Sequence, residues 1–228
     1  MTAAAVSSVA WVGNTHNRFC SGQAGEGKMI DYNSIIERYY KPGNDDYKLL
    51  VAHSRQVAEL SKQLCERLIA KHCPIDEDFV YEAAMLHDIG MFKTNAPSIF
   101  CYGTEPYICH GIIGKKLLDS IGLYRHALVC ERHTGAGLTA EEIIAQNLPL
   151  PHRDMVPQSL EEKVVCYADK FYSKSHIAPA KPIEEVRAQL SKFGEGTMQR
   201  FDAMAELFGE PDYAALDAEL RAAEQAKQ

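Results

Sequence analysis

The chain of 228 residues has no CxxC pair, no basic run longer than Lys115-Lys116, a single tryptophan and no apolar stretch near the length of a membrane-spanning helix. Each shortage excludes something. A spanning helix needs about 20 mostly apolar residues, so no membrane contact is expected. The seven cysteines, at 20, 65, 73, 101, 109, 130 and 166, are odd in number and irregularly spaced. That pattern argues against a disulfide framework or a thiolate zinc site and suits a reducing compartment. Twenty-four Lys and Arg against 31 Asp and Glu leave a net charge of −7. Without clustered cations, a long nucleic-acid backbone is a poor partner. The first residues, MTAAAVSSVAWVG, lack the basic start and compact apolar stretch of a secretory signal. A cytoplasmic protein is expected.

What is present is an ordinary globular composition, 46% hydrophobic and 24% charged, and a length that suits one sizeable domain. Residues 1–28 are rich in Ala, Ser, Gly and Asn with little periodic hydrophobicity. They are expected to be a poorly ordered extension, with Met29 as a candidate natural start. From Asp31 onward the apolar spacing is helical nearly throughout, and no alternating strands with hairpin turns occur. The prediction is a nearly all-α fold, with the main domain over 29–180 and the helices of 181–228 packing on it. No internal repeat is evident, and nothing in the pattern specifies an oligomeric state.

A long helix is predicted from Asn44-Asp45-Asp46 to about Lys71, with an apolar stripe of Leu50, His53, Val57, Leu60, Leu64 and Leu68. A histidine occupies one core position of that stripe. The next helix, from about Asp76 to His87, again ends its stripe on a histidine, with Gly90 as the expected stop. Residues 91–107 mix aromatic residues with Pro, Gly and Asn and read as a loop that shapes a pocket. A helix over Ile108–Ile121 aligns His110 with Ile113, Leu117 and Ile121, and another over Tyr124–His133 ends on His133. A short helix, Ala140–Gln146, interrupts the long connection from Thr134 to Gln158. Ser159 caps a helix predicted to run from Leu160 to about Lys174, with Asp169 in its inward row. The tail from Pro182 reads as two amphipathic helices parted by Gly209-Glu210-Pro211.

The inward polar residues are therefore His53, His87, Asp88, His110, His133 and Asp169. A helical bundle builds a metal site in this way, with imidazoles and carboxylates projecting from separate helices, and such groups are seldom buried unless paired or metal-bound. For one histidine alone, a hydrogen-bonded core role is the ordinary reading; their joint placement changes it. Nitrogen and oxygen donors without sulfur favour one or two divalent cations of the Mn, Fe, Co, Ni or Mg kind over a closed structural zinc site. His126, with an expected surface position, and His16, His72, His152 and His176 read as structural. Cys109 and Cys130 read as small buried hydrophobes, since neither has an identifiable base.

The order His, His-Asp, Asp, carried by VAHSRQVAEL, AAMLHDIG and CYADKFYSK, resembles the HD superfamily of metal-dependent phosphohydrolases over residues 48–175. CHGIIGKKLL and ERHTGAGLTAEEI are similar to the segments that carry two extra histidines in binuclear members, the symmetrical diadenosine-tetraphosphate hydrolases of the HD type among them. The resemblance implies an HD-domain helical bundle with a metal site between helices. His53, His87, Asp88 and Asp169 would hold a first cation, and Asp88 would bridge to a second completed by His110 and His133. It implies hydrolysis of a phosphate ester or phosphoanhydride of a nucleotide or another small phosphorylated metabolite by metal-activated water, with Asp88 as the catalytic residue. Many relatives read HDIGK, whereas Met91 follows the glycine here and the first lysine is Lys93. The GYP signature of cyclic-di-GMP phosphodiesterases is absent. Lys93, Arg132, Thr134 and Lys170, with the amides around Gly135–Gly137, are candidate phosphate contacts. The alternatives are an HD-type di-iron oxygenase and a non-catalytic nucleotide-sensing or partner-binding module.

Overall fold

A computed structural model describes residues 29–175 and 177–218; the expected extension over 1–28, His16, His176 and the end of the tail lie outside the described residues. The architecture is all-α. Helix α1 (Tyr32–Glu37) starts at Asp31, whose carboxylate accepts the Ser34 amide at 3.0 Å. Helix α2 (Asp45–Ala70) buries Leu50, Val57, Leu60 and Leu64 along one row, and His53 shares that row. Helix α3 (Glu77–Leu86) is capped by Asp76, which accepts the Phe79 amide at 3.1 Å. Helices α4 (His110–Ser120) and α5 (Tyr124–Arg132) pack on each other, and α2 packs on α3 and on α7 (Leu160–Asp169). Between them α6 (Ala140–Ala145) starts with a reciprocal capping box of Thr139 and Glu142. The core where these helices meet contains Leu50, Leu60, Val80, Leu86, Val165 and Phe171, all buried. Among the described residues no helix is long and apolar enough to cross a membrane.

The tail departs from the two-helix expectation. Helices α8 (Ile183–Leu190) and α9 (Glu195–Phe208) are parted by Gly194, at φ 103°, a conformation that favours glycine, and residues 213–218 are again helical. Helix α9 docks aromatic on aromatic: Phe201 stacks on Tyr167 at 5.3 Å, and the Tyr167 hydroxyl donates to the Gly209 carbonyl at 3.0 Å. Such pairs add directional packing to area burial.

Three other boundaries differ from the prediction. Helix α3 ends at Leu86, which leaves His87 and Asp88 in the turn that follows. Gly90 is not a left-handed stop, since its φ is −81°. A Cβ there would lie 2.2 Å from the His110 carbonyl oxygen and 2.4 Å from the Gly114 nitrogen, so glycine is what lets α4 approach the turn. Helix α7 stops at Asp169 rather than Lys174, because the amides of Phe171 and Tyr172 bond to carbonyls only three residues back and tighten the chain. The 91–107 loop holds tight turns and a two-residue antiparallel pair, β1 (Asn95–Ala96) with β2 (Cys101–Tyr102), too short to show as alternation.

Candidate metal centre

One mid-helix residue and the ends of four helices converge on one buried point. His53 comes from the middle of α2, His87 and Asp88 from the turn after α3, His110 from the first residue of α4, His133 from the cap of α5 and Asp169 from the last residue of α7. All six are buried. His53 Nε2 lies 3.1 Å from Asp169 Oδ1 and 3.4 Å from Asp88 Oδ2; His87 Nε2 lies 3.2 Å from Asp88 Oδ2 and 3.4 Å from Asp169 Oδ1. On the other side of Asp88, His110 Nε2 and His133 Nε2 each stand 3.3 Å from Oδ1. Two donor groups result, His53–His87–Asp88–Asp169 and Asp88–His110–His133, each with its donor atoms within 4.8 Å of one another and with Asp88 in common.

Backbone carbonyls aim three of the imidazoles. His87 Nδ1 is 2.6 Å from the Ala84 oxygen, His110 Nδ1 2.8 Å from the Tyr107 oxygen and His133 Nδ1 2.9 Å from the Cys130 oxygen. A carbonyl only accepts, so each Nδ1 carries a proton and each Nε2 faces inward; on His110 and His133, whose rings are neutral near neutral pH, that leaves an Nε2 lone pair directed inward. His110 Nε2 and His133 Nε2 then face each other at 3.0 Å, lone pair to lone pair. Only a cation or a proton relieves that arrangement, and Asp88 Oδ1, which both rings face at 3.3 Å, has no hydrogen-bond partner among the described residues. Imidazole and carboxylate donors without sulfur fit a divalent cation at each group. Close packing supports the geometry: a Cβ on Gly111 would meet the Cys130 oxygen at 2.5 Å, so glycine lets α4 bring His110 against α5.

The electrostatics match a cation cradle. Burial lowers the pKa of His53 and His110 to about 4 and that of His133 to about 3, so these rings are neutral near neutral pH. His87 goes the other way: burial opposes its charge, but the carboxylates of Asp88 and Asp169 outweigh burial and raise it to about 9. Burial also opposes ionisation of the two carboxyls. His87 and Lys174 nevertheless hold Asp88, and Lys170 and Lys174 hold Asp169, well below the usual carboxylate range.

Lys174 and Tyr107 belong to this site and were not among the predicted residues. The Lys174 ammonium is 3.1 Å from Asp88 Oδ2 and 3.3 Å from Asp169 Oδ1. A helix continued through Lys174 would place it off the inward row; the turn after Asp169 brings it back, and no periodicity signals that. The Tyr107 ring stacks on His110 at 4.8 Å and 19°. Its one signal was its place in the loop expected to shape a pocket.

Of the predicted phosphate contacts, the structure brings only Lys170 to the site. Its ammonium donates to Asp169 at 2.5 Å and to the His133 carbonyl at 2.9 Å, and it lines a cavity of about 290 Å³ that begins at Asp169. Arg132 instead donates to both oxygens of Glu162 at 3.0 and 2.9 Å, strapping α5 to α7. The Thr134 carbonyl accepts the Gly137 amide, and Arg200 of α9 clasps the Ala136 and Gly137 carbonyls at 3.1 and 3.0 Å, so that loop is already engaged. Lys93 is exposed, with its ammonium 5.8 Å from the Phe92 ring centre. None of these three lines the cavity. His126 is buried rather than superficial and meets Glu82 at 3.0 Å, while Cys109 is only partly buried, its Sγ 3.4 Å from the Pro149 oxygen. Burial pushes the Cys130 thiol well up, which suits a packing residue and not a nucleophile.

The HD domain family model matches residues 50–173, more than half of the chain. The chain is 36% identical over 135 residues to a tRNA (cytidine(56)-2'-O)-methyltransferase of Picrophilus torridus, covering 59% of itself and 35% of that protein. It is 37% identical over 123 residues to an uncharacterized protein of Methanocaldococcus jannaschii, covering 54% of itself and 65% of that protein. A tRNA (cytidine(56)-2'-O)-methyltransferase of Thermoplasma volcanium is 31% identical over 144 residues, which are 63% of this chain and 37% of the relative. The chain thus spans from about a third to just under two thirds of the length of these curated relatives. No solved structure matches. With its His, His-Asp and Asp segments inside the matched range and meeting at one buried point, the chain belongs to the HD domain family.

Proposed function

We propose that this protein is a metal-dependent phosphohydrolase that cleaves a phosphate ester or phosphoanhydride of a nucleotide or another small phosphorylated metabolite. The observation that carries the reading is the sharing of Asp88 between two buried donor groups, one with His53, His87 and Asp169 and one with His110 and His133. Bound divalent cations supply a lowered pKa for water and stabilise the attacking and leaving oxygens of the phosphoryl group. Asp88 orients the attacking water between the two groups, since its two oxygens face opposite sets of imidazoles. The Nδ1 anchors keep the rings fixed through the reaction, so little reorganisation accompanies charge development. Lys170 and Lys174, beside Asp169 in the cavity wall, draw the anionic substrate in. The methyl-transfer activity in the names of two relatives belongs to proteins of which this chain covers little more than a third, and it is not carried over.

The test is phosphate release from nucleoside mono-, di- and polyphosphates, dinucleoside polyphosphates and sugar phosphates, with protein stripped of metal and reloaded with Mn, Fe, Co, Ni or Mg. Bound metal is counted in each sample. Turnover is expected with at least one metal, and Asp88→Ala is expected to lose the metal together with about a thousandfold in rate. A full-rate Asp88→Ala enzyme, or a wild type that holds two metals and releases no phosphate, overturns the proposal. Oxygen uptake in the second case points to the di-iron alternative.

A further inference from the structure

The cavity that begins at Asp169 does not end at the metal centre. Its near wall holds Lys170, Tyr172, Ser173 and Lys174; its far wall is built by Lys181, Val186, Gln189, Leu190 and Phe193, from the segment that precedes, forms and follows α8. The far wall is anchored. The Lys181 amide donates to the Phe171 carbonyl at 2.8 Å, and Ile183, Val186 and Leu190 are buried against the core. The Lys181 ammonium is aimed by Gln189, which accepts from it at 3.0 Å while donating to Glu185 at 3.0 Å. Among the described residues the bond to Gln189 is the one bond of the Lys181 ammonium, which has three N–H donors in all.

Two features describe the occupant. First, the lining carries three ammonium groups and one carboxylate; Lys170 pairs with Asp169 and Lys174 with Asp169 and Asp88, while Lys181 has no carboxylate within ion-pair distance among the described residues. Burial and the repulsion of Lys170 and Lys174, against the attraction of Asp169, bring Lys181 below the ordinary lysine value; an anion among the three relieves that repulsion. Second, the far wall also carries apolar side chains, Val186, Leu190 and Phe193, and Phe193 is 58% exposed, a ring with water on most of its surface. An isolated exposed phenylalanine needs no explanation, but one that lines the same cavity as three cations sets an apolar surface beside the charge. The volume, about 290 Å³, is at the small end of the roughly 300–1,000 Å³ typical of ligand pockets, which limits the occupant to a compact molecule.

We infer that the Lys181–Phe193 segment is the specificity wall of the site and takes a phosphomonoester with a compact aromatic or apolar organic group. The phosphate lies among Lys170, Lys174 and Lys181, and the organic group lies against Val186, Leu190 and Phe193. This rests on the proposed phosphohydrolase reading for the phosphate but not for its binding.

Binding is therefore measured apart from turnover, by calorimetry on the manganese-loaded full chain with inorganic phosphate and phenyl phosphate as probes. Phenyl phosphate is expected to bind at least about tenfold more tightly than phosphate, and Phe193→Ala to remove most of that difference while sparing phosphate affinity. Lys181→Gln is expected to weaken both probes about tenfold. In hydrolysis of 4-nitrophenyl phosphate both variants raise KM with a far smaller change in kcat, the signature of lost ground-state binding. Phe193 is largely exposed and Lys181 half-buried, so both variants are expected to melt like the wild type. Equal affinity of the wild type for the two probes, or wild-type affinities in both variants, overturns the inference. Selective binding without any hydrolysis upholds the wall and counts against the phosphohydrolase reading alone.

Discussion

The metal centre and the cavity wall beside it are built on opposite terms. Every donor of the centre is buried, comes from a helix or its end, and three of the four imidazoles are aimed by a carbonyl three residues back. The wall is half exposed, comes from a turn, α8 and a short 3-10 segment, and ends in a solvent-facing ring. A buried polar cluster must be fully matched or it costs stability, so its residues are tied to the core that surrounds them. The exposed residues of the wall, Gln189 and Phe193, are under no such constraint and can vary with the organic group to be recognised, while Val186 and Leu190 are packed into the core. On the proposed reading, the chemistry of this chain rests on its core and its selectivity on its periphery.

That contrast predicts a hierarchy of effects. The largest is Asp88→Ala, which removes metal and turnover together, whereas wall variants such as Phe193→Ala leave metal content intact. Acid should next distinguish the two regions. His53 and His110 are held at about 4 and His133 at about 3 in the folded protein, against about 6.5 in an unfolded chain. Between those values the unfolded state binds protons that the folded state refuses, so stability rises with pH there and falls as pH drops from about 6.5 toward 4. With up to three protons involved, the slope of the metal-free protein reaches at most about 4 kcal/mol per pH unit. Asp88 and Asp169, held well below 3.8, contribute stability above that value and lose it at still lower pH. Urea titrations at pH 7, 6 and 5 check this; a flat profile means that the three rings are accessible to protons.

Much of the centre was legible because it obeys helical periodicity. His53 falls in line with Leu50, Val57 and Leu60, and Asp169 lies in the inward row of α7, so both could be placed from spacing. The HD resemblance then joined segments that are far apart in sequence. What failed was whatever depends on chain direction after a helix ends. Lys174 reaches the carboxylates because α7 unwinds at Asp169, and Arg132 misses the cavity because it faces Glu162 across two helices. Gly90 was correctly singled out for the wrong reason: the site needs its missing side chain, not a left-handed turn.

Gly90→Ala turns that reason into a measurement. The new methyl meets backbone atoms of α4 at 2.2 and 2.4 Å, which cannot rotate away. The cost is about 3 kcal/mol of unfolding free energy. Because α4 begins with His110, its displacement should also lower bound metal from two ions to one, with the His53 group retained. Unchanged stability would show that α4 does not rest on this turn. Arg132→Ala, placed by the sequence among the substrate contacts, should instead cost about 2 kcal/mol of stability, since it strips the mostly buried Glu162 of its guanidinium. KM should hardly move; a KM effect with unchanged stability restores Arg132 to the substrate.

The smallest effect belongs to the residue at the seam between the two regions. Lys174 contacts Asp88 Oδ2 and Asp169 Oδ1, the same two oxygens that His53 and His87 face. Its ammonium and a divalent cation therefore compete for one pair of acceptors, while from the cavity side the same ammonium attracts an anion. Lys174→Met keeps the length and removes the charge. Metal affinity is expected to tighten about tenfold, since the cation no longer displaces an ion pair, and KM for a phosphate ester is expected to rise by a similar factor. Equilibrium dialysis reads the first and initial rates the second. Tighter metal with unchanged KM assigns Lys174 to the centre alone; weaker metal shows that the lysine supports the carboxylates' geometry instead of competing for them.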